Sequence, residues 1–188
     1  MRIMEDAEHG TLRYSPLQLV KRRLYAMRNG IVADSLRKAG CPFRLIYGVN
    51  LPQLTEIANE FGHSEELAEQ LWSDESLRES SILAPMIFPA ERLTYERALA
   101  LCHSVRWQEE SDILCFKLLK KTQFAPRLAE ELCGEAEPLA RYTGLRLWLN
   151  IAGANPVEAR VAAERELARP DALAGLAGLL VEATSENI

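Results

Sequence analysis

The chain has 188 residues, with 27 Asp and Glu against 22 Lys and Arg, for a formal net charge of −5. Hydrophobic residues are 48% and charged residues 26%, the balance of one core-forming domain or one helical array rather than a disordered or fibrous chain. An acidic total excludes a generally basic nucleic-acid binder but leaves room for a basic patch, and the bases do concentrate in residues 1–50 while the remainder is strongly acidic.

The opening MRIMEDAEHG carries three acids and no apolar core, so it does not read as a secretory signal. Residues 1–14 are expected to be a poorly ordered arm ahead of a single helical-repeat domain over 15–188. Ser15-Pro16 is a capping residue followed by proline at the first helical position, and Gln18 completes a capping box. Leu17, Val20, Leu24 and Met27 then form one apolar stripe, with Gly30 as the expected stop. A short second helix is expected from Ile31 to Ala39, ending at Gly40 with Pro42 beyond, and Phe43 to Asn50 reads as an apolar connector. Pro52 opens a helix with Leu54, Ile57, Ala58 and Phe61 inward and Gly62 as stop.

Further helices are predicted over 64–72, 75–88, 94–105, 108–121, 126–133, 138–152, 156–168 and 172–183. Pro85 lies inside an apolar stretch and is expected to kink or end its helix. No segment sustains period-two alternation, and Asn29-Gly30 closes a helix instead of a hairpin. The fold class is therefore all-α, at about 70% helix against the ~30–35% of an average soluble protein.

Internal similarity favours stacked two-helix units, an α-solenoid. Glu79-Ser80-Ser81-Ile82-Leu83-Ala84 reappears as Glu110-Ser111-Asp112-Ile113-Leu114-Cys115, and more loosely as Tyr142-Thr143-Gly144-Leu145-Arg146-Leu147. Each block puts small residues and then aliphatic ones at the start of a helix.

Chemical motifs are sparse. Glycine-rich phosphate cradles, the GxSxG nucleophile turn and HExxH are absent. The four cysteines Cys41, Cys102, Cys115 and Cys133 form no CxxC and lie in or beside apolar patterns, so reduced thiols of a cytoplasmic protein are expected. The three histidines have no zinc-type spacing. No metal, cofactor or membrane span is expected. The adjacent acids Glu65-Glu66, Glu109-Glu110 and Glu130-Glu131 read as solvated. Lys21, Arg22, Arg28, Arg37 and Lys38, with Arg13, Arg23 and Arg44 nearby, are the best candidates for phosphate contact. Lys117, Lys120 and Lys121 form a smaller second cluster, and Arg141 and Arg146 are the last bases placed to face a groove.

The pattern resembles the DNA alkylation repair proteins of the AlkD-like HEAT-repeat type. The residues that carry the likeness are Tyr47-Gly48-Val49 before Leu51-Pro52-Gln53-Leu54, then Ile57-Ala58 and Phe61, Leu71-Trp72, and the block at 79–84. Trp107 ahead of Asp112 in VRWQEESDILCF follows, and Gly144-Leu145-Arg146-Leu147-Trp148 with Asn155-Pro156 closes the series. The likeness spans residues 15–170.

It implies a HEAT-like, right-handed superhelical stack of antiparallel helix pairs with a basic concave groove. It also implies excision of cationic alkylated purines from duplex DNA, with Asp112 stabilising the sugar cation and Trp107 contacting the lesion. Lys21, Arg22, Arg28, Arg37, Lys38 and Arg141 would hold the DNA. Two departures bear on catalysis. Gln108 stands where the family's pattern places a tryptophan, and the closing stretch DALAGLAGLLVEATSENI contains no Arg, Lys or Trp. A divergent duplex-DNA binder with weak or lost N-alkylpurine glycosylase activity is the first reading. A non-catalytic, HEAT-like protein-binding scaffold is the alternative.

Overall fold

Side-chain caps start five of the eleven α-helices among the described residues. In the computed structural model, which describes residues 14–185, the Ser15 hydroxyl accepts from the Gln18 amide and Gln18 Oε1 accepts from Ser15 N. The expected arm over 1–14 therefore lies, but for Tyr14, outside the described residues. Asn50 and Gln53 build a second capping box around Leu51-Pro52, a signal that begins two residues ahead of the proline. Ser64 and Thr94 cap two further helices. Each such cap satisfies amides that would otherwise lack a partner, worth ~1 kcal/mol.

The helices are α1 (Pro16–Ala26), α2 (Gly30–Lys38), α3 (Leu51–Phe61), α4 (Glu65–Trp72), α5 (Arg78–Ile87), α6 (Tyr95–His103), α7 (Gln108–Lys117), α8 (Ala125–Cys133), α9 (Pro138–Ile151), α10 (Pro156–Leu167) and α11 (Ala174–Ser185). The chain is all-α, 70% helical, with no strand among the described residues. A single parallel bridge joins Leu45 to Leu77.

The helix expected over 108–121 stops at Lys117 and the one expected over 75–88 starts at Arg78; two further departures have local reasons. Gly30 opens α2 instead of closing α1, because the Asn29 side chain accepts from the amides of Ile31 and Val32 and so caps the helix there. Pro85 does not end α5 at its own position. The helix runs two residues further, to Ile87, and stops at Phe88-Pro89.

The helices pack in series. α4 lies on α5, α8 on α9, and α10 on α11, while α3, α5, α7, α9 and α11 each touch the next in a continuous row. One apolar core runs through this row, including Leu54 and Ile57 of α3, Leu83 of α5, Leu114 of α7, Leu145 of α9 and Leu180 of α11. A small satellite cluster forms around Ala33, Phe43 and Ile46, against which Leu36, Cys41 and Trp107 pack.

The repeated blocks account for the close approach of the row. They fall within α5, α7 and α9, and equivalent residues of the last two meet directly: Ser111 Oγ lies 2.7 Å from Thr143 Oγ1. Beside Thr143, a Cβ on Gly144 would come within 2.8 Å of Ala129 O and of Cys133 N and Sγ. Gly144 is what lets α9 sit this close to α8. Gly48 is under a stricter constraint, with φ +74 and only 2.2 Å between a built Cβ and Asn29 O.

Two outcomes follow from this packing. Gly144→Ala should lower stability by ~1–3 kcal/mol through overpacking, read as a lower urea midpoint with an unchanged m-value. All four cysteines are free, and three are buried. Burial pushes the thiols of Cys102 and Cys133 up to about 12 and raises that of Cys115 well above its usual value. Alkylation of the native protein in mildly alkaline buffer should therefore label the half-buried Cys41 first. The other three should react only after denaturation. Early labelling of Cys115 would contradict this packing.

Candidate functional site

The second turn of α7 and the facing turns of α9 build an open cleft lined by Glu109, Asp112, Phe116, Arg146 and Asn150. Asp112 and Phe116 are four residues apart and share a face of α7, as Tyr142 and Arg146 do on α9. Arg146 Nε pairs with Asp112 Oδ1 at 2.6 Å as an ion pair, and the Tyr142 hydroxyl donates to the same oxygen at 3.0 Å. Oδ2 accepts no hydrogen bond among the described residues. The carboxylate is thus held from one side and open on the other, with its side chain 29% exposed. Burial, followed by the neighbouring Asp112 charge and the hydrogen bond to it, pushes the Tyr142 phenol up to about 12. Tyr142 therefore keeps its proton and donates a hydrogen bond to Asp112 at any ordinary pH.

Trp107 takes no part in that arrangement. It is the residue before the first turn of α7, and its ring packs on the satellite cluster with Cys41 and Phe43, about 4.0 Å from where a Gly40 Cβ would lie. Five helical positions turn Asp112 about 140° away from it. The expected pair of Trp107 and Asp112 therefore points to different neighbours.

The basic residues divide in the same way. Arg22 stacks over Tyr14 at 4.5 Å, and Arg28 stacks over Tyr25 at 4.1 Å. Neither forms an ion pair among the described residues, and neither does the exposed Lys38. Lys21 is bound to Asp74 at 2.8 Å and Arg37 to Asp34 at 2.8 Å. Lys21, Arg22, Tyr25 and Tyr47 line a shallow depression, and Tyr25 meets Tyr47 edge to face at 5.8 Å.

Arg141 is a correction. It was expected on a groove but is 1% exposed. Its guanidinium donates to Glu166 at 3.1 Å, to Asp171 at 2.7 Å and to the Ala136 carbonyl at 2.6 Å. With its donors spent inside, it has nothing to offer a phosphate. Glu109 and Glu110 are corrected too. Glu109 takes a two-pronged bond from Arg78, and Glu110 is 1% exposed and accepts from the Arg106 amide at 2.7 Å.

A polar chain joins the two regions. Buried Glu79 accepts from the amides of Tyr47, Gly48 and Val49 at 3.1, 2.8 and 3.3 Å. Arg78 Nη1 donates to Glu79 at 3.0 Å and to the Val49 carbonyl at 3.3 Å, while the other prongs of the guanidinium reach Glu109 beside Asp112. Tyr142, Phe116 and the Arg78–Glu109 pair were not singled out from the sequence. A signal for the first two exists, because the repeated blocks set 142–147 opposite 110–115 and the four-residue spacing from Asp112 reaches Phe116.

A family model described as DNA alkylation repair enzyme matches residues 20–168. The chain belongs to that family. Neither a curated protein nor a solved structure matches it. Among the described residues no helix is long and apolar enough to cross a membrane, and no group of three or more His, Cys, Asp or Glu could hold a metal ion.

Two outcomes test this geometry. Arg141→Ala leaves buried Glu166 with only Arg169 at 3.3 Å and the Leu173 amide at 3.0 Å, so stability should fall by about 1–3 kcal/mol, measured by urea unfolding. Little or no loss would mean that these two partners hold the carboxylate on their own. For Tyr142, the folded phenol titrates above the ~10 of a free tyrosine, so the fold favours the protonated form. Its stabilisation is fully present below pH ~10 and is lost as pH rises toward 12. Thermal melts across that window should fall more steeply for the wild type than for Tyr142→Phe.

Proposed function

We propose that this protein binds duplex DNA and slowly excises cationic N-alkylated purines, with Asp112 as the catalytic carboxylate. The observation that carries the reading is Asp112 itself: an oriented carboxylate in an open cleft, one oxygen held by Tyr142 and Arg146 and the other free.

In the reaction the N-glycosidic bond breaks and its electron pair leaves with the base. Because the alkylated base is already cationic, it departs neutral. The sugar is left as an oxocarbenium ion, to which water adds at C1′ with loss of a proton. A preplaced anion lowers the energy of that cation. Arg146 limits the effect, since its guanidinium already offsets the carboxylate charge at 2.6 Å. A slow enzyme follows from that pairing, and the absence of Trp107 from the cleft acts in the same direction. Of the six bases expected to hold DNA, Arg22, Arg28 and Lys38 form no ion pair among the described residues and keep their charge for phosphate.

The ion pairs Lys21–Asp74 and Arg37–Asp34 favour a second reading, the non-catalytic protein-binding scaffold, because each removes a cation from the expected DNA surface.

Two measurements separate the readings. Duplex binding should be weak and strongly salt-dependent, and Arg22→Ala with Arg28→Ala should reduce the slope of log K against log salt by up to about 2. A wild type that does not bind duplex at ~50 mM salt supports the scaffold. Release of a methylated cationic purine should exceed spontaneous depurination and fall by about 10²–10³-fold in Asp112→Asn. A wild type no faster than spontaneous loss removes the catalytic reading.

A further inference from the structure

We infer that the face of α1 around Arg22 is a docking surface for the chain's own acidic segment, Glu5 to Glu8. The docking stands on charge and reach. Its consequence, competition with the phosphates of a duplex, rests on the DNA-binding reading.

Two shallow depressions flank α1. Leu19, Ala26 and Phe61 line one, Tyr25 and Tyr47 line the other, and Arg22 lines both. Leu19 is 43% and Tyr25 53% exposed, so the face offers apolar surface beside a cation. The acids that meet α1 are already taken: Asp74 pairs with Lys21 at 2.8 Å and Glu60 with Arg23 at 3.0 Å. Arg22 and Arg28 have only aromatic rings, Tyr14 and Tyr25, beneath them. Two exposed guanidinium groups therefore keep their charge on this face.

The sequence supplies the matching charge. Glu5, Asp6 and Glu8 fall within four positions, with Ile3 and Met4 just ahead of them, while the bases Arg2 and Arg13 stand toward the two ends. Residues 1–13 lie outside the described residues, but the place where they join the described chain is on this face. Tyr14 directly precedes the Ser15 cap of α1, and Arg22 stacks over its ring at 4.5 Å. Glu8 is six residues from Tyr14, a reach of about 20 Å at ~3.3 Å per extended residue. Eleven-residue α1 is ~16 Å long, so the acids reach any point from Arg22 to Arg28. A tether this short holds them at an effective concentration on the order of mM. Exposed ion pairs are individually weak, so a polyanion that makes many contacts at once displaces the segment. The acids thus stand in for phosphate until a duplex takes their place.

The test uses the full chain. Glu5→Gln, Asp6→Asn and Glu8→Gln together remove the acids and keep their size. Duplex affinity at ~50 mM salt should rise roughly 3- to 30-fold, and the gain should shrink as salt rises to ~0.15 M. In an Arg22→Ala, Arg28→Ala background the same neutralisation should change affinity by less than about twofold. An equal gain in both backgrounds means that the acids repel DNA without docking here, and overturns the inference.

A second measurement needs no DNA. Arg22→Lys puts a primary amine on the face, and a carbodiimide should join position 22 to Glu5, Asp6 or Glu8 within one chain, found by peptide mass spectrometry. Lys120, on the turn after α7, should give no such link, and added duplex should suppress the link from position 22. Arg22 is exposed, so unchanged circular dichroism is expected in each variant. No link from position 22 overturns the docking. A link without any change in duplex affinity on neutralisation overturns the competition. A wild type that forms the link but binds no duplex overturns the DNA-binding reading and leaves the docking standing.

Discussion

The buried carboxylate of Glu79 is the constraint on which the two candidate regions depend. With 0% of its surface in water, it needs polar partners, and it has them: three consecutive amides of the 47–49 segment and the Arg78 guanidinium. Those amides are what turn the chain into α3. Gly48 is the middle donor, and its backbone geometry and closeness to Asn29 leave no room for a side chain. Arg78 then carries the connection onward to Glu109, which lies one turn from Asp112. Removing Arg78 would leave the buried carboxylate with backbone amides alone and no opposite charge, costlier than the loss of a surface pair.

Much of the fold is legible in the sequence because it rests on local signals. Ser15 with Gln18, Ser64, Thr94, and proline at the first turns of α1, α3, α8, α9 and α10 each fix a helix start within a few residues. The repeated block also predicts contact. Where it recurs, Ser111 meets Thr143, and Asp112 meets Tyr142 and Arg146. Gly30 shows the limit of such reading, since glycine near a helix end signals a stop unless a neighbour such as Asn29 caps the next helix.

The site was less legible because charge partners are tertiary facts. Arg141 and Arg146 lie five residues apart on α9 and look alike in sequence. One faces Glu166 and Asp171 in the interior, and the other faces Asp112 in the cleft. Glu110 follows Glu109 and looks equally solvated, yet it caps the Arg106 amide and is buried. Trp107 was the natural aromatic from its place before Asp112, but its helix starts at Gln108, and the ring is left to fill a gap against Gly40 and Phe43. Nothing local to Trp107 distinguishes the two roles.

The spacing of the side-chain bridges between units bears on how the chain comes together. Most join residues 25–37 apart, as in Arg23 with Glu60, Trp72 with Ser104, Arg78 with Glu109 and Arg141 with Glu166. Each bridge therefore closes a loop of similar length, and the entropy of closure is nearly the same at every step. Apart from Lys21 with Asp74, few of these bonds wait for distant parts of the chain to meet. Such a topology has low contact order, so assembly can begin at any unit and spread to its neighbours, and α10 with α11 can open at the end of the row without breaking a contact of the Asp112 cleft.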